Sequence, residues 1–231
     1  VLVMLCTAIL GKVIYRHREE RKAKVFRYGL VNSNALFIGL PIIQSLLGDA
    51  GVLQLSMYMI FVRMFCWSYG LSLYTGVKSD WKGSFKRLLT HPCMIAAALG
   101  VAAMVTGIRL PAFLDRTLQY VSSCLMALSM LLIGVVLSEI KLKEVFRGDV
   151  WRFTALRLGV MPGIVFGLCK LCGVPYIVTA TCTLVSGMPA ASLTAVLAAR
   201  YHGDSELGAL LVAVSTILSA VTIPLLIWLL F

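Results

Sequence analysis

Several long stretches of this sequence contain no charged residue, among them residues 28–48, 117–138 and 207–231. Each is long enough for an α-helix that crosses the hydrocarbon core of a bilayer, which takes about 20 residues. In lipid every backbone polar group needs an internal partner, so such stretches fold as helices. We therefore predict an all-α integral membrane protein surrounded by the lipid bilayer.

The overall composition excludes an ordinary soluble domain. Of the 231 residues 60% are hydrophobic and 13% are charged, whereas soluble domains carry about a quarter charged residues. The net charge of +11 does not indicate a nucleic-acid partner, because the basic residues lie between apolar segments and not among stacking aromatic side chains. No binding to nucleic acid is expected.

Apolar segments predict about eight membrane spans, at residues 1–15, 26–47, 52–76, 91–108, 117–138, 153–172, 175–199 and 206–230. Most of the 21 Lys and Arg residues fall in the loops on one side of these spans. Cytoplasmic loops carry the excess of Lys and Arg, so that side is cytoplasmic. We predict a multi-pass protein of the plasma or inner cell membrane, with its C-terminus outside the cytoplasm.

One predicted span contains a helix breaker. Gly39 and Pro41 lie inside the span at 26–47, and proline should leave the carbonyl of Phe37 without its helical partner. An unpaired carbonyl is costly in hydrocarbon, so a broken span usually lines a cavity. Gly187 and Pro189 repeat the pattern in the span at 175–199. We predict two discontinuous helices, broken at these four residues, that share one site.

The two breaks belong to an internal repeat. In each copy the Gly-x-Pro is followed by Gly-Asp and by a long apolar span. Five predicted crossings separate the copies, so the second copy is inverted relative to the first, as in many secondary transporters. We divide the chain into the remainder of a first repeat (1–76), a short cytoplasmic linker (77–90) and a second repeat (91–231). Each repeat has five spans, so two further spans are expected before residue 1.

Six motifs occur in order along the chain: Asn34–Pro41 (NALFIGLP), Phe65–Gly70 (FCWSYG), Ile133–Leu137 (IGVVL), Pro189–Ser192 (PAAS), Ala198–Tyr201 (AARY) and Ser219–Pro224 (SAVTIP). In this order they resemble the auxin efflux carrier family of membrane transporters. The family includes bacterial malate and malonate permeases and plant auxin exporters. The plant exporters have a long cytoplasmic loop in mid-chain, whereas residues 77–90 are few, which favours a prokaryotic-type member.

The resemblance implies a fold similar to that of bile-acid symporters. It implies ten spans in two inverted five-helix repeats, with the fourth and ninth helices unwound and crossing at the substrate site. It further implies a core that slides against a scaffold as an elevator, with the scaffold represented here by helices in 91–138 and the core by 153–231 and the remainder of the first repeat. A homodimer is implied in the same way.

Polar side chains near the two breaks are the candidate substrate-binding residues. Asn32 and Asn34 precede the first break, and each amide offers donors and an acceptor. Thr183, Ser186 and Ser192 occupy the second broken span. The alternative interpretation is structural: the amides satisfy the broken backbone, and the small hydroxyl side chains allow close helix packing.

Two arginines fall inside predicted spans. Arg63 lies near the middle of the span at 52–76, where a charge indicates function, and its guanidinium can bind a carboxylate. Its alternative interpretation is a structural cation bonded to carbonyls of an unwound helix. Arg157 lies near the cytoplasmic edge, and we expect its side chain to snorkel to the surface. Helix halves that begin at the breaks add positive dipole ends, so the predicted substrate is a small organic anion.

All ten acidic residues fall in loops or at span ends, so proton transfer through a buried acid is not supported. The coupling ion, Na⁺ or H⁺, stays open, as does uniport driven by the membrane potential. We predict no catalytic residue, metal ligand or cofactor, because no deep histidine or acid accompanies the cysteines as an enzyme would need. The predicted function is secondary transport, and the alternative is a receptor or sensor with a transporter fold.

Overall fold

The described part of the chain is helical. This computed structural model describes residues 2–75, 92–107, 110–138 and 145–230, and within them the only β-type contact is one isolated bridge between Ser33 and Ala190. The predicted linker at 77–90 lies outside the described residues. An all-α membrane protein, as the sequence predicts, is confirmed, and the division into domains stays a prediction.

The helices follow the predicted spans closely, with breaks inside several of them. They are α1 (Leu2–Ile14), α2 (Glu20–Val31), α3 (Leu40–Phe65), α4 (Leu71–Thr75), α5 (Pro92–Thr106), α6 (Ala112–Ser138), α7 (Gly148–Ala155), α8 (Met161–Leu171), α9 (Tyr176–Ser186), α10 (Leu193–Arg200) and α11 (Ser205–Leu230). In the described part of the chain, three π-helical turns lie between consecutive helices, at Ala35–Gly39, Cys66–Gly70 and Leu156–Val160.

Helix α3 is kinked at Gly48, where the predicted spans at 26–47 and 52–76 meet. Gly48 has φ 58° and ψ −153°, a conformation that only glycine adopts readily. The two arms lie so close that a Cβ at Gly51 would be 2.4 Å from the Cβ of Leu47. Gly48 and Gly51 therefore make this kink possible.

The sequence predicted the first break at Gly39 and Pro41, but in the structure the break lies earlier, at residues 32–34. Helix α2 ends at Val31, Asn32 and Asn34 leave the helix, and the chain becomes helical again at Ala35. Pro41 lies in the first turn of α3, where an α-helix needs no N–H from it. The preceding π turn widens the helix at the position where the proline ring would otherwise crowd a carbonyl.

The second break lies where it was expected. Helix α9 ends at Ser186, and the non-helical segment Gly187–Ser192 contains Pro189. The Gly187 N–H still bonds to the carbonyl oxygens of Thr183 (3.0 Å) and Leu184 (3.1 Å), which closes the last turn of α9. Pro189 then has no N–H with which to continue the helix.

Two buried apolar clusters hold the helices together. The first joins α2, α7 and the start of α11, and includes Phe26, Tyr28, Phe153 and Leu211. The second joins α3, α9 and the end of α11, with members such as Ile43, Leu184, Met188 and Ile223. Helix α11 contributes to both clusters, so it fixes the two broken helices relative to one another.

Many large apolar side chains face outward, as expected for surfaces that meet lipid. Examples on α6 and α11 are Phe113 (69% exposed), Leu131 (67%) and Val221 (70%). Among the described residues three helical segments are long and apolar enough to cross a membrane: Ala35–Phe65, Gly148–Leu171 and Ser205–Leu230. Length and composition of these segments agree with a multi-pass protein.

Candidate functional site

The two breaks meet and bond to each other. We call the segments Asn32–Asn34 and Gly187–Ser192 together the crossing. The Asn34 N–H donates to the Pro189 carbonyl (2.8 Å), and the Ala191 N–H donates to the Asn32 carbonyl (3.1 Å). Each break thus supplies the backbone partner that the other lost by leaving its helix. The prediction of two discontinuous, crossing helices is confirmed.

Side chains from neighbouring elements complete the hydrogen bonding of the crossing. The Ala190 N–H donates to Oγ of Ser215 on α11 (3.1 Å), and that hydroxyl donates to the Leu211 carbonyl (2.6 Å). On the other break, Nδ2 of Asn32 donates to the Tyr28 hydroxyl oxygen (3.1 Å). These groups are buried, so each bond replaces one that water cannot supply.

Arg157 joins the two broken helices directly. Its Nε donates to the Met188 carbonyl (3.1 Å), and its Nη1 donates to the Leu30 carbonyl at the end of α2. The side chain is 2% exposed, so the expectation that Arg157 snorkels to the surface is wrong. The reason is that the breaks leave carbonyls inside the protein that need a donor, and an arginine has several.

A cavity of about 240 Å³, which we call the central cavity, lies beside the crossing. Its wall combines both breaks with the helical turns that follow them and one face of α3. The lining residues are Asn32, Ser33, Asn34, Leu36, Phe37, Met59, Val62, Arg63, Cys66, Ala191, Ser192, Leu193 and Val196. Four of the predicted substrate-binding residues are therefore brought together: Asn32, Asn34, Arg63 and Ser192.

Several polar groups at the central cavity lack a protein partner. Nδ2 of Asn34 and Oγ of Ser192 are buried without a hydrogen bond within the described residues. Arg63 is half-buried, and among the described residues no hydrogen bond or ion pair holds its guanidinium. A buried polar group without a partner costs about 1–3 kcal/mol, which is recovered when a ligand supplies the partner.

The charge at the central cavity is positive. Leu36 and Phe37 lie in the first turn after one break and Leu193 begins α10 after the other, so their backbone N–H groups point back along helices toward the crossing. Arg63 adds a full positive charge, and none of the described residues that line this cavity is acidic. The arrangement suits an anion with several acceptor oxygens.

The structure places the remaining predicted residues elsewhere. Thr183 lies on α9 and lines a second, mainly apolar cavity of about 390 Å³ near Trp228. The Ser186 hydroxyl donates to the Thr183 carbonyl (2.8 Å) within the same helix. Among the predicted helix-break residues, Gly39 packs against Met188, and Gly187 leaves no room for a Cβ beside Leu226. None of these four residues lines the central cavity.

Three contributors to the site were missed from the sequence: Arg157, Ser215 and Tyr28. The signal for Arg157 was available, because Pro162 follows it by five residues inside an apolar segment, as Pro41 follows Leu36. Both prolines follow a π turn in the structure. Ser215 and Tyr28 carry no such signal, since a single hydroxyl in an apolar helix is common. Within the described residues no group of His, Cys, Asp and Glu side chains could hold a metal ion.

Comparison with known proteins places this chain in a family of membrane transport proteins. A family model described as "Membrane transport protein" matches residues 1–85 and 82–227. A protein of Methanocaldococcus jannaschii described as an uncharacterized transporter is 27% identical over 233 residues, which covers 96% of this chain and 73% of that protein. Another uncharacterized transporter, from Methanothermobacter thermautotrophicus, is 26% identical over 231 residues and covers 97% of this chain and 76% of its own. The chain therefore belongs to the membrane transport protein family, the auxin efflux carrier-like family that its motifs resemble.

Proposed function

We propose that this protein is a secondary transporter for a small organic anion, a carboxylate such as malate, malonate or an auxin-like acid. The observation that carries the proposal is the central cavity, where two breaks meet and a positive charge stands beside unpartnered donors. A carboxylate binds arginine in bidentate geometry and accepts further bonds from amide, hydroxyl and backbone N–H groups. The proposed substrate-binding residues are Asn34, Arg63 and Ser192, and the reaction is translocation without covalent chemistry.

An elevator-type movement is supported by the way the helices are connected. The core comprises the two broken helices together with α7 and α11, which share buried clusters and the hydrogen bonds of the crossing, and α8, which packs against α9. Helix α6 of the scaffold meets this core at α11 and at the turn Ala35–Gly39. Core helices that are bonded to one another can slide as one body, so that the cavity faces each side of the membrane in turn.

The distribution of Lys and Arg supports a membrane location and an orientation for the transporter. The basic residues between the spans favour a plasma or inner membrane location with the C-terminus outside the cytoplasm. Exposed apolar residues on α6, such as Leu118 and Val121, fit a homodimer formed through the scaffold. The sensor with a transporter fold is the alternative that the experiment below distinguishes.

Uptake into proteoliposomes tests the proposal. The full-length protein is reconstituted, and accumulation of labelled malate is measured against protein-free vesicles and against a neutral solute of similar size. We expect saturable uptake of the dicarboxylate that other organic anions inhibit. Binding of malate without uptake would indicate the sensor, and neither binding nor uptake of any carboxylate tested would refute an organic-anion site.

Accessibility from both sides tests the movement. Val196 lines the central cavity and is 47% exposed, so a Val196→Cys variant in a background without the native cysteines reports access to it. A membrane-impermeant thiol reagent should label this cysteine from either side, and substrate should slow the labelling. Labelling from one side alone under all conditions would contradict alternating access.

A further inference from the structure

The Leu30 and Met188 carbonyls would be free if Arg157 were absent. In a continuous α2 the Leu30 carbonyl would accept the N–H of Asn34, four residues on, but that N–H donates to Pro189 across the crossing. Met188 lies inside the second break, where no helical pattern supplies a donor. The two oxygens come from different broken helices and converge on one guanidinium.

Oxygens of this kind are what transporters of the broken-helix type use to hold a coupling ion. Unwound backbone carbonyls and the C-terminal ends of half-helices coordinate Na⁺ in such proteins, because both carry partial negative charge. Here the C-terminal ends of α2 and α9 both lie at the crossing. A cation is therefore favoured beside the Leu30 and Met188 carbonyls, and the Arg157 guanidinium is that cation.

The position between the Leu30 and Met188 carbonyls fits a metal ion less well than it fits the Arg157 guanidinium. A guanidinium that already donates to both carbonyls leaves these oxygens without a place for Na⁺, and the positive charge repels a second cation. The ion pairs found among the described residues, Lys22 with Glu19, Lys24 with Glu20 and Arg147 with Asp149, do not involve Arg157. Its charge is instead met by the carbonyl dipoles of Leu30 and Met188.

We propose that the Arg157 guanidinium is a built-in cation that holds the two broken helices together at the Leu30 and Met188 carbonyls, in the place of a coupling Na⁺. Arg157 does not line the central cavity, so it is a positioning residue. It keeps the Asn34 and Ser192 donors in place for the anion. The expected effect of Arg157 on anion binding rests on the proposed function. Its effect on the stability of the crossing does not depend on transport.

The first experiment uses the wild-type protein. The full-length protein in detergent is melted in NaCl, KCl and choline chloride at equal ionic strength, without solute and then with malate. We expect the same melting temperature and the same malate affinity in all three salts. A Na⁺-specific gain in affinity of about tenfold or more, equivalent to 1.4 kcal/mol, would overturn the proposal, because the crossing would then need an ion that Arg157 does not replace.

The second experiment removes the built-in cation. Arg157→Ala in choline should melt at a lower temperature and bind malate at least about tenfold more weakly, because two buried carbonyls lose a charged donor. Millimolar guanidinium, or Na⁺, should restore part of both losses in this variant alone. Arg152→Ala is the matched control, since Arg152 is an exposed arginine on α7 five residues away, and it should behave as wild type in every salt.

The outcomes separate this inference from the proposed function. If Arg157→Ala melts and binds like wild type in choline, Arg157 does not hold the crossing and the inference fails. If that variant does not fold, Arg157→Lys, which keeps the charge with fewer donors, should fold, melt lower than wild type and stay independent of Na⁺; dependence of Arg157→Lys on Na⁺ would refute the inference. If wild type binds no carboxylate, the proposed function fails, while the melting temperatures still decide the role of Arg157.

Discussion

The surroundings of Arg157 and of Arg63 differ, although both arginines lie inside membrane spans. Arg157 is buried and its donors meet the carbonyls of Leu30 and Met188, whereas Arg63 is half-buried beside the central cavity with no hydrogen bond from the described residues. The same contrast separates two amides of one break. Asn32 is bonded to Tyr28, and Nδ2 of Asn34 has no partner.

This difference teaches which polar groups belong to the structure and which are left for a ligand. A polar group that is satisfied inside the protein contributes to stability, and its loss leaves a partner without a bond. A buried group without a partner lowers stability until a ligand binds it. Substitution of a satisfied group should therefore lower the melting temperature. Substitution of an unpartnered group at the central cavity should instead lower the affinity for the anion.

Arg63→Ala should give the largest loss of affinity. A hydrogen bond to a charged group contributes about 1.5–3 kcal/mol, so the anion should bind about 10- to 100-fold more weakly while the melting temperature without solute changes little. Arg63→Lys, which keeps a point charge, should retain part of the affinity. Thermal shift with malate measures both quantities. An unchanged affinity in Arg63→Ala would remove this residue from the proposed site.

Ser215→Ala tests the structural region. It leaves the Ala190 N–H buried without an acceptor, which should cost about 1–3 kcal/mol and lower the melting temperature without solute. Thr216→Ala is the control, because the Thr216 hydroxyl donates only to the Val212 carbonyl of its own helix (2.7 Å). Equal melting temperatures for the two variants would mean that the bond from α11 does not stabilise the crossing.

A comparison of Asn34→Ala with Asn32→Ala separates the binding role from the structural role within the first break. Loss of the free Asn34 amide should weaken anion binding by about two- to tenfold, the value of one neutral hydrogen bond, without lowering the melting temperature. Asn32→Ala should instead lower the melting temperature, because the buried Tyr28 hydroxyl loses its donor. The reverse pattern in melting and binding assays would exchange the roles that we give to the two amides.

Pro41→Ala should have the smallest effect. Pro41 lies in the first turn of α3, and the first break is bonded across the crossing by residues 32 and 34, so stability should change by no more than about 1 kcal/mol and anion affinity should not change. Pro189→Ala supplies an N–H that can extend α9 into the second break, so it should lower affinity. A large loss in Pro41→Ala would show that the proline does maintain the first break.

Much of the fold could be predicted because it depends on local pattern. Charge-free segments form helices at nearly the predicted positions, and the kink at Gly48 lies between two predicted spans. The position of the first break could not be predicted in this way, because Asn32–Asn34 contains neither glycine nor proline and leaves the helix by bonding to a segment more than 150 residues away. A helix-breaking residue in a sequence thus indicates that a span is discontinuous more reliably than it indicates where.

The sequence predicted some of the residues that line the central cavity, and the binding roles given to them stay predictions. Asn34, Arg63 and Ser192 were identified because polar residues in apolar segments are few and costly, and the fold brings them to one cavity. Thr183 and Ser186 belong to the same class by sequence, but their helix directs them away from that cavity. Arg157 was assigned to the surface because it lies only a few residues from a predicted loop. That assignment is wrong, since distance along the chain does not measure burial.

The sequence by itself determined that the chain is an all-α membrane protein with two interrupted spans and a positive site, because hydrophobicity and the cost of unpaired polar groups act locally along the chain. The tertiary structure alone decided which backbone groups lost their helical partners and which side chains replaced them. Those bonds join α2, α9, α11 and the turn that carries Arg157, so their pairing exists only once the helices have packed.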